Sequence, residues 1–157
     1  MTDKYLGLFS GRAGSEAIVR NVIVDEATYV GDPVILVAAA TGERDARVEP
    51  NDSQGAQAVG IIVDGDQKGL YVDGARGSNE LAANSGEAAK LVTKGRCKAR
   101  VDGSTNNIVV GDKLTMDGVD GQLEKAASGD NVIATALQAS TAWQDLILVD
   151  VNPEGVL

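Results

Sequence analysis

Short apolar runs, each of strand length and most of them fenced by glycine, set the pattern of this chain. In order they read AIVRNVIV (17–24), PVILVA (33–38), AVGIIV (58–63), GLYV (69–72), AKLVT (89–93), CKARV (97–101), NIVV (107–110), KLTM (113–116), VIATAL (132–137) and DLILVDV (145–151). Several alternate. Cys97, Ala99 and Val101 point one way and Lys98 and Arg100 the other, which is the period of a half-buried strand. Asp-Gly pairs fall between runs at 64–65, 73–74, 102–103, 117–118 and 120–121. Glycine reaches positive φ without steric cost and aspartate bonds nearby backbone, so each pair reads as a hairpin turn. Many short strands with such corners predict an all-β fold, a compact β-barrel or sandwich. Helical signal is thin. Residues 78–90, SNELAANSGEAAK, admit at most one short helix or an ordered loop, because Ser85 and Gly86 interrupt the helix formers. The polar, turn-rich 41–57 reads as a long surface loop.

A faint repeat runs through the pattern. VGDPVIL (30–36) is echoed by VGDKLTM (110–116), and each is followed by a polar stretch and a strand opened by small residues, GAQAVGIIVDG and GDNVIATALQA. Gly-Asp could mark a phosphate or metal loop. A phosphate loop would need more glycines, a Lys-Ser/Thr and a following helix, and neither copy has them. Both copies therefore read as corners from which a strand starts.

The chain has 157 residues, enough for one domain with an arm: 1–16 as the arm and 17–157 as the β-domain. At 43% hydrophobic but 3% aromatic, its core must be built from Val, Ile, Leu and Ala. Histidine is absent, which removes the commonest general base and the usual zinc ligand. The single cysteine, Cys97, forms no internal disulfide and reads as a small strand filler. A net charge of −9 repels phosphate backbones, so nucleic acid is not an expected partner. VILVAAA (34–40) is too short to cross a bilayer, and MTDKYLGLFSGR lacks the apolar core of a secretion signal, so neither membrane nor export address is expected.

Candidate chemistry is sparse. Asp117, Asp120 and Glu124 in MDGVDGQLE crowd oxygen ligands of the kind calcium takes, but their glycines mark a tight hairpin rather than an EF-hand, and VDGDQKG (63–69) fails in the same way. Ser15 in GRAGSEA evokes a glycine-flanked nucleophile but lacks both a histidine and the G-x-S-x-G pattern. No two carboxylates stand out as a catalytic pair. Trp143, the only tryptophan, reads as filling a core or interface gap. No catalytic residue, cofactor site or metal site is assigned, and the chain is not expected to be an enzyme. Tyr5, Leu6, Leu8 and Phe9 gather apolar groups beside flexible glycines ahead of the first strand. They form either an edge strand folded back on the barrel or an arm that docks on a partner.

The succession AVGIIVDG, LVTKGRCKARVDG, NIVVGDKLTMDGVDGQLEKA, NVIATALQAS and DLILVDV, spanning roughly residues 17 to 151, resembles the small capsid decoration (cement) proteins of tailed double-stranded DNA viruses. The resemblance implies a barrel-like subunit, often a homotrimer, made in the host cytoplasm and carried on the outer capsid surface of the virion. There it would bridge neighbouring major capsid subunits against the pressure of packaged DNA, without catalytic residues or cofactors. It also implies a capsid-binding role for an arm containing Tyr5, Leu6, Leu8 and Phe9. The 41–57 and 75–90 segments depart from the family's core pattern. Competing readings are a head or tail fibre base module, a carbohydrate- or small-ligand-binding β-domain, and a metal-dependent or carboxylate hydrolase.

Overall fold

The computed structural model describes residues 17–39, 41–50, 54–72, 79–118 and 121–157. Among them the chain forms strands and no helix: β1 (Ile18–Val24), β2 (Thr28–Tyr29), β3 (Pro33–Val37), β4 (Ala46–Pro50), β5 (Gly60–Gly65), β6 (Leu70–Val72), β7 (Asn79–Ala83), β8 (Ala88–Val101), β9 (Lys113–Met116), β10 (Leu123–Lys125), β11 (Asn131–Ala136) and β12 (Asp145–Val156). The main sheet runs β1-β4-β3-β5-β8-β10-β9-β11-β12, and β8 bonds in addition to β1 and β12. Those two extra pairings close two five-stranded rings that share β8. The expected all-β barrel class is what forms, in two copies.

β8 carries the arrangement. Its 14 residues pair with β1 and β5 over the first half and with β12 over the second, while β10 meets it at Val101. The runs 89–93 and 97–101, read separately from sequence, are thus one strand. Gly95 sits at the handover with φ of 113°, and a Cβ there would lie 2.6 Å from the Cα of Ala17. A side chain at this point would be strained and would push β1 away.

Both barrels are wired identically. A parallel pair, β1–β4, matches the parallel pair β8–β10. The antiparallel β3–β4 and β3–β5 ladders match β9–β10 and β9–β11. Registers agree residue by residue: Val34 faces Gly60 as Leu114 faces Ala134, and Leu36 faces Val48 as Met116 faces Leu123. Irregular bonds repeat as well. Gly31 N–H donates to Ile62 O (2.7 Å) as Gly111 N–H donates to Ala136 O (2.8 Å). Asp25 N–H donates to Val48 O (2.9 Å) as Asp102 N–H donates to Leu123 O (2.7 Å). The Val-Gly-Asp echo marks a repeat of a whole barrel.

Each ring has its own core. Val22, Val24, Val34, Val48, Ile62 and Leu91 fill the first; Ala99, Val101, Leu114, Met116, Leu123 and Val149 are among those filling the second. Ile61 and Val92, next to Ile62 and Leu91 in sequence, join the second cluster instead. Strand alternation therefore gives β5 and β8 one apolar face for each core, which is why Ile61-Ile62 and Leu91-Val92 set apolar residues side by side. At roughly 1.5–3 kcal/mol per buried large aliphatic side chain, this shared wall holds the barrels together.

Three sequence expectations are corrected. Residues 79–83 form strand β7, which pairs with β2 and β6 in a small second sheet, and 84–87 is a turn into β8. Ala82 and Ala83 enter the first core, so tertiary pairing overrides their helix propensity. The 41–57 stretch contains β4, whose Val48 is a core residue between the outward Arg47 and Glu49. NIVV (107–110) is no strand: Ile108 makes one bridge to Ser140, and Val109–Asp112 is a turn. Among the Asp-Gly pairs, 117–118 lies in the β9–β10 hairpin, whereas Asp102 ends β8 by accepting Ser104 N–H (2.8 Å).

Candidate interaction surface

The Gly-Asp corners are turns latched by their own aspartates. Asp32 N–H donates to Tyr29 O (3.0 Å), and Asp32 Oδ2 accepts Tyr29 N–H (2.8 Å), with Gly31 at φ of 96°. The second copy repeats this: Asp112 N–H to Val109 O (3.1 Å), Val109 N–H to Asp112 Oδ2 (2.9 Å), Gly111 at 97°. Ala127–Asp130 closes in the same way around Gly129. Positive φ at the third position with this hydrogen bond is the type II turn, and glycine is the residue it needs. The carboxylates serve their own backbone, as a strand corner requires.

The two copies differ in what covers them. At the first, Arg100 Nε lies 3.4 Å from Asp32 Oδ1, and Arg100 Nη2 donates to Val30 O (2.7 Å), with both charged side chains sealed from solvent. At the second, Asp112 faces the half-exposed Lys125 at 3.4 Å, and Val109 and Val110 stand 53% and 65% exposed. The first corner is walled in by the second barrel, whereas the second corner is open.

Reactive chemistry is not assembled. Burial first, and the Asp150 charge second, push the Cys97 thiol up to about 12, and its side chain packs against the second core as a filler. A shallow cleft of about 190 Å³ lies along Asn21, Asp64, Asp66 and Lys90, but Lys90 Nζ is spent on Asn21 Oδ1 (3.2 Å). Among the described residues no three His, Cys, Asp or Glu groups come close enough together to hold a metal ion. Asp117 and Glu124 do share one face of the β9–β10 hairpin. Asp120, Ser15 and the arm residues Tyr5, Leu6, Leu8 and Phe9 lie outside the described residues.

The surface feature that sequence reasoning left undecided is Trp143. It is 53% exposed, so it does not fill the core. Its loop is nonetheless tied down: Ser140 exchanges backbone bonds with Ile108 (2.9 Å each way), Gly103 N–H donates to Ala142 O (2.9 Å), and Ser140 Oγ donates to Asp145 Oδ2 (2.8 Å). Gln144 beside it adopts φ of 51°, a left-handed conformation that costs a non-glycine residue roughly 1–2 kcal/mol. A large apolar ring held out to water on a fixed, strained loop has the character of a contact residue. Val109 and Val110 lie on the other segment of the same Ile108–Ser140 bridge.

No protein-family model matches the chain, and no curated relative does. Among solved structures, the chain is similar to the N base of the head fibre protein gp8.5 of bacteriophage phi29, with a TM-score of 0.56 at 12% identity, covering 90% of this chain and 98% of that one. At that identity the likeness is one of fold, and it extends over nearly the whole of both chains.

Proposed function

We propose that this chain is a non-enzymatic structural protein of a tailed-virus head, carried on the outer capsid surface. The observation that carries this reading is the fold shared almost end to end with a phage head fibre base. In the form the sequence resemblance favours, the chain cements neighbouring major capsid subunits, as a homotrimer. Trp143 and the Val109–Val110 corner supply contact, and residues 1–16 supply a second grip through Tyr5, Leu6, Leu8 and Phe9. A bridging protein of this kind works by many modest contacts repeated by symmetry, so avidity replaces a single tight site. The net charge of −9 would keep decorated particles apart.

A second reading is favoured by the solved neighbour itself: a fibre base that attaches to the head without bracing it. Purified protein mixed with undecorated heads separates the two. Saturable binding in multiples of three with a gain in the heads' heat resistance is expected for cement. Saturable binding with unchanged heat resistance is expected for a fibre base, and absence of binding overturns both. Deleting residues 1–10 tests the arm. Lost head affinity with unchanged stability supports it, and unchanged affinity with a destabilised domain rejects it.

A further inference from the structure

Four polar side chains stand on one face of the β9–β10 hairpin. Leu114, Met116 and Leu123 fill the second core, so alternation turns Thr115, Asp117, Gln122 and Glu124 the opposite way. A face of that composition belongs in water. Yet Thr115 and Gln122 are fully buried and Asp117 nearly so. The β4–β5 connection of the first barrel crosses here: Gly55 N–H donates to Met116 O (2.9 Å), Asn131 Nδ2 to Gly55 O (3.0 Å), and Gln54 Nε2 to Glu124 Oε2 (2.6 Å).

The hydrogen bonds of this cluster do not balance. Gln122 Nε2 donates to Asp117 Oδ2 (2.7 Å), which holds Gln122 Oε1 beside that carboxylate, buried and without a donor. Thr115 Oγ1, on the residue paired across the ladder with Glu124, is buried and without a partner too. Buried polar atoms are normally satisfied, and each that is not calls for an explanation. Two buried neutral oxygens without partners thus share one face with two carboxylates, which is a donor set of the kind a hard cation takes.

We propose that this cluster binds a hard divalent cation, Ca²⁺, through the carboxylates of Asp117 and Glu124, Gln122 Oε1 and Thr115 Oγ1. An all-oxygen set that mixes carboxylates with neutral oxygens is calcium's chemistry, and the lack of imidazole and thiolate donors excludes a zinc or copper shell. Only two acidic groups are required, with waters completing the shell. Few charged ligands place the affinity on the order of 10⁻⁴–10⁻³ M, the range of extracellular modules. The ion would sit where the first barrel's connection crosses the second, and would clamp one to the other. This site is independent of the role proposed on the capsid.

The test is isothermal titration calorimetry and thermal unfolding of the full chain in chelator-stripped buffer, with CaCl₂ to about 10 mM against NaCl of equal ionic strength. Saturable heat and a saturable rise in Tm are expected for the wild type. Apparent affinity should fall at least about tenfold in Glu124→Gln, which keeps the side-chain volume, and should be unchanged in Asp45→Asn on the β3–β4 connection. Circular dichroism confirms that each variant is folded, and Asp117→Asn stands in if Glu124→Gln is not. No heat and no Tm shift in the wild type overturns the site. So does an equal response in Glu124→Gln, which would assign the ion to general surface charge.

Discussion

Asp32, at the corner that launches β3 in the first barrel, is paired at 3.4 Å with Arg100, which β8 carries within the second barrel. Both side chains are buried, and the pair lies where the repeat departs from symmetry. In the second barrel the equivalent Asp112 meets a half-exposed lysine instead. Removing one partner of a buried pair strands the other charge, so Arg100→Met should destabilise the fold by about 3–5 kcal/mol. Lys125→Met, at the open copy, should cost no more than about 1 kcal/mol. Urea unfolding of the two variants checks the contrast, and equal costs would reject the asymmetry.

The two corner glycines offer a second comparison at matched backbone geometry. Gly31 and Gly111 share a φ near 97°, at 96° and 97°, so alanine at either is strained by roughly 1–2 kcal/mol. A Cβ on Gly31 would also lie 2.6 Å from Leu146 Cδ2 and 3.3 Å from Arg100 N, whereas one on Gly111 meets nothing within 4 Å. Gly31→Ala should therefore cost at least about 1 kcal/mol more than Gly111→Ala, measured by denaturant midpoint.

Cys97 should be nearly inert in the native protein. The thiolate is the reactive form, and a thiol held at about 12 has on the order of 10³-fold less of it at pH 8 than an ordinary cysteine. Native protein should react with an aromatic disulfide reagent only at the rate of global opening, and urea-unfolded protein at once. The sign of the linkage follows: the unfolded thiol ionises first, so stability declines as pH rises from the ordinary thiol range towards 12.

Glu124 gives a pH signature of the opposite practical range. Its carboxyl is raised in the fold, chiefly by burial and then by Asp117, so the folded state holds a proton that the unfolded state releases. In metal-free buffer this stabilises the fold at acid pH and fades as pH rises from the ordinary carboxylate range through the raised value. Glu124→Gln should remove that slope. Parallel unfolding curves for the two proteins across this range would reject it.

Trp143 should report docking. Because it is half in water, Trp143→Ala should change stability by no more than about 0.5 kcal/mol. Its fluorescence should be readily quenched by iodide in the free protein and become protected and blue-shifted when heads are added. Unchanged emission on saturated heads would remove Trp143 from the contact surface.

The chain's own pattern determined the class of fold. Period-two alternation in 97–101, glycine at positions of positive φ, and the Val-Gly-Asp echo are local properties, and local sterics act the same way in any context. The absence of histidine likewise excludes every catalytic device built on an imidazole. What the pattern could not decide is which strand pairs with which. AKLVT and CKARV read as two strands because Lys94-Gly95 interrupts the apolar run, yet partners on both edges hold 88–101 as one strand with a wall in each barrel. NELAA carries helix formers, and pairing with β2 and β6, with Ala82 and Ala83 buried against the first core, makes it a strand. The same holds for the site residues. Thr115, Asp117, Gln122 and Glu124 are ordinary hairpin residues in sequence, yet the fold buries the first three where Gln54 and Gly55 cross from the other barrel and leaves Glu124 half-buried. Burial is a property of long-range packing, and it turned a repeated corner into one closed copy at Asp32 and one open copy at Asp112.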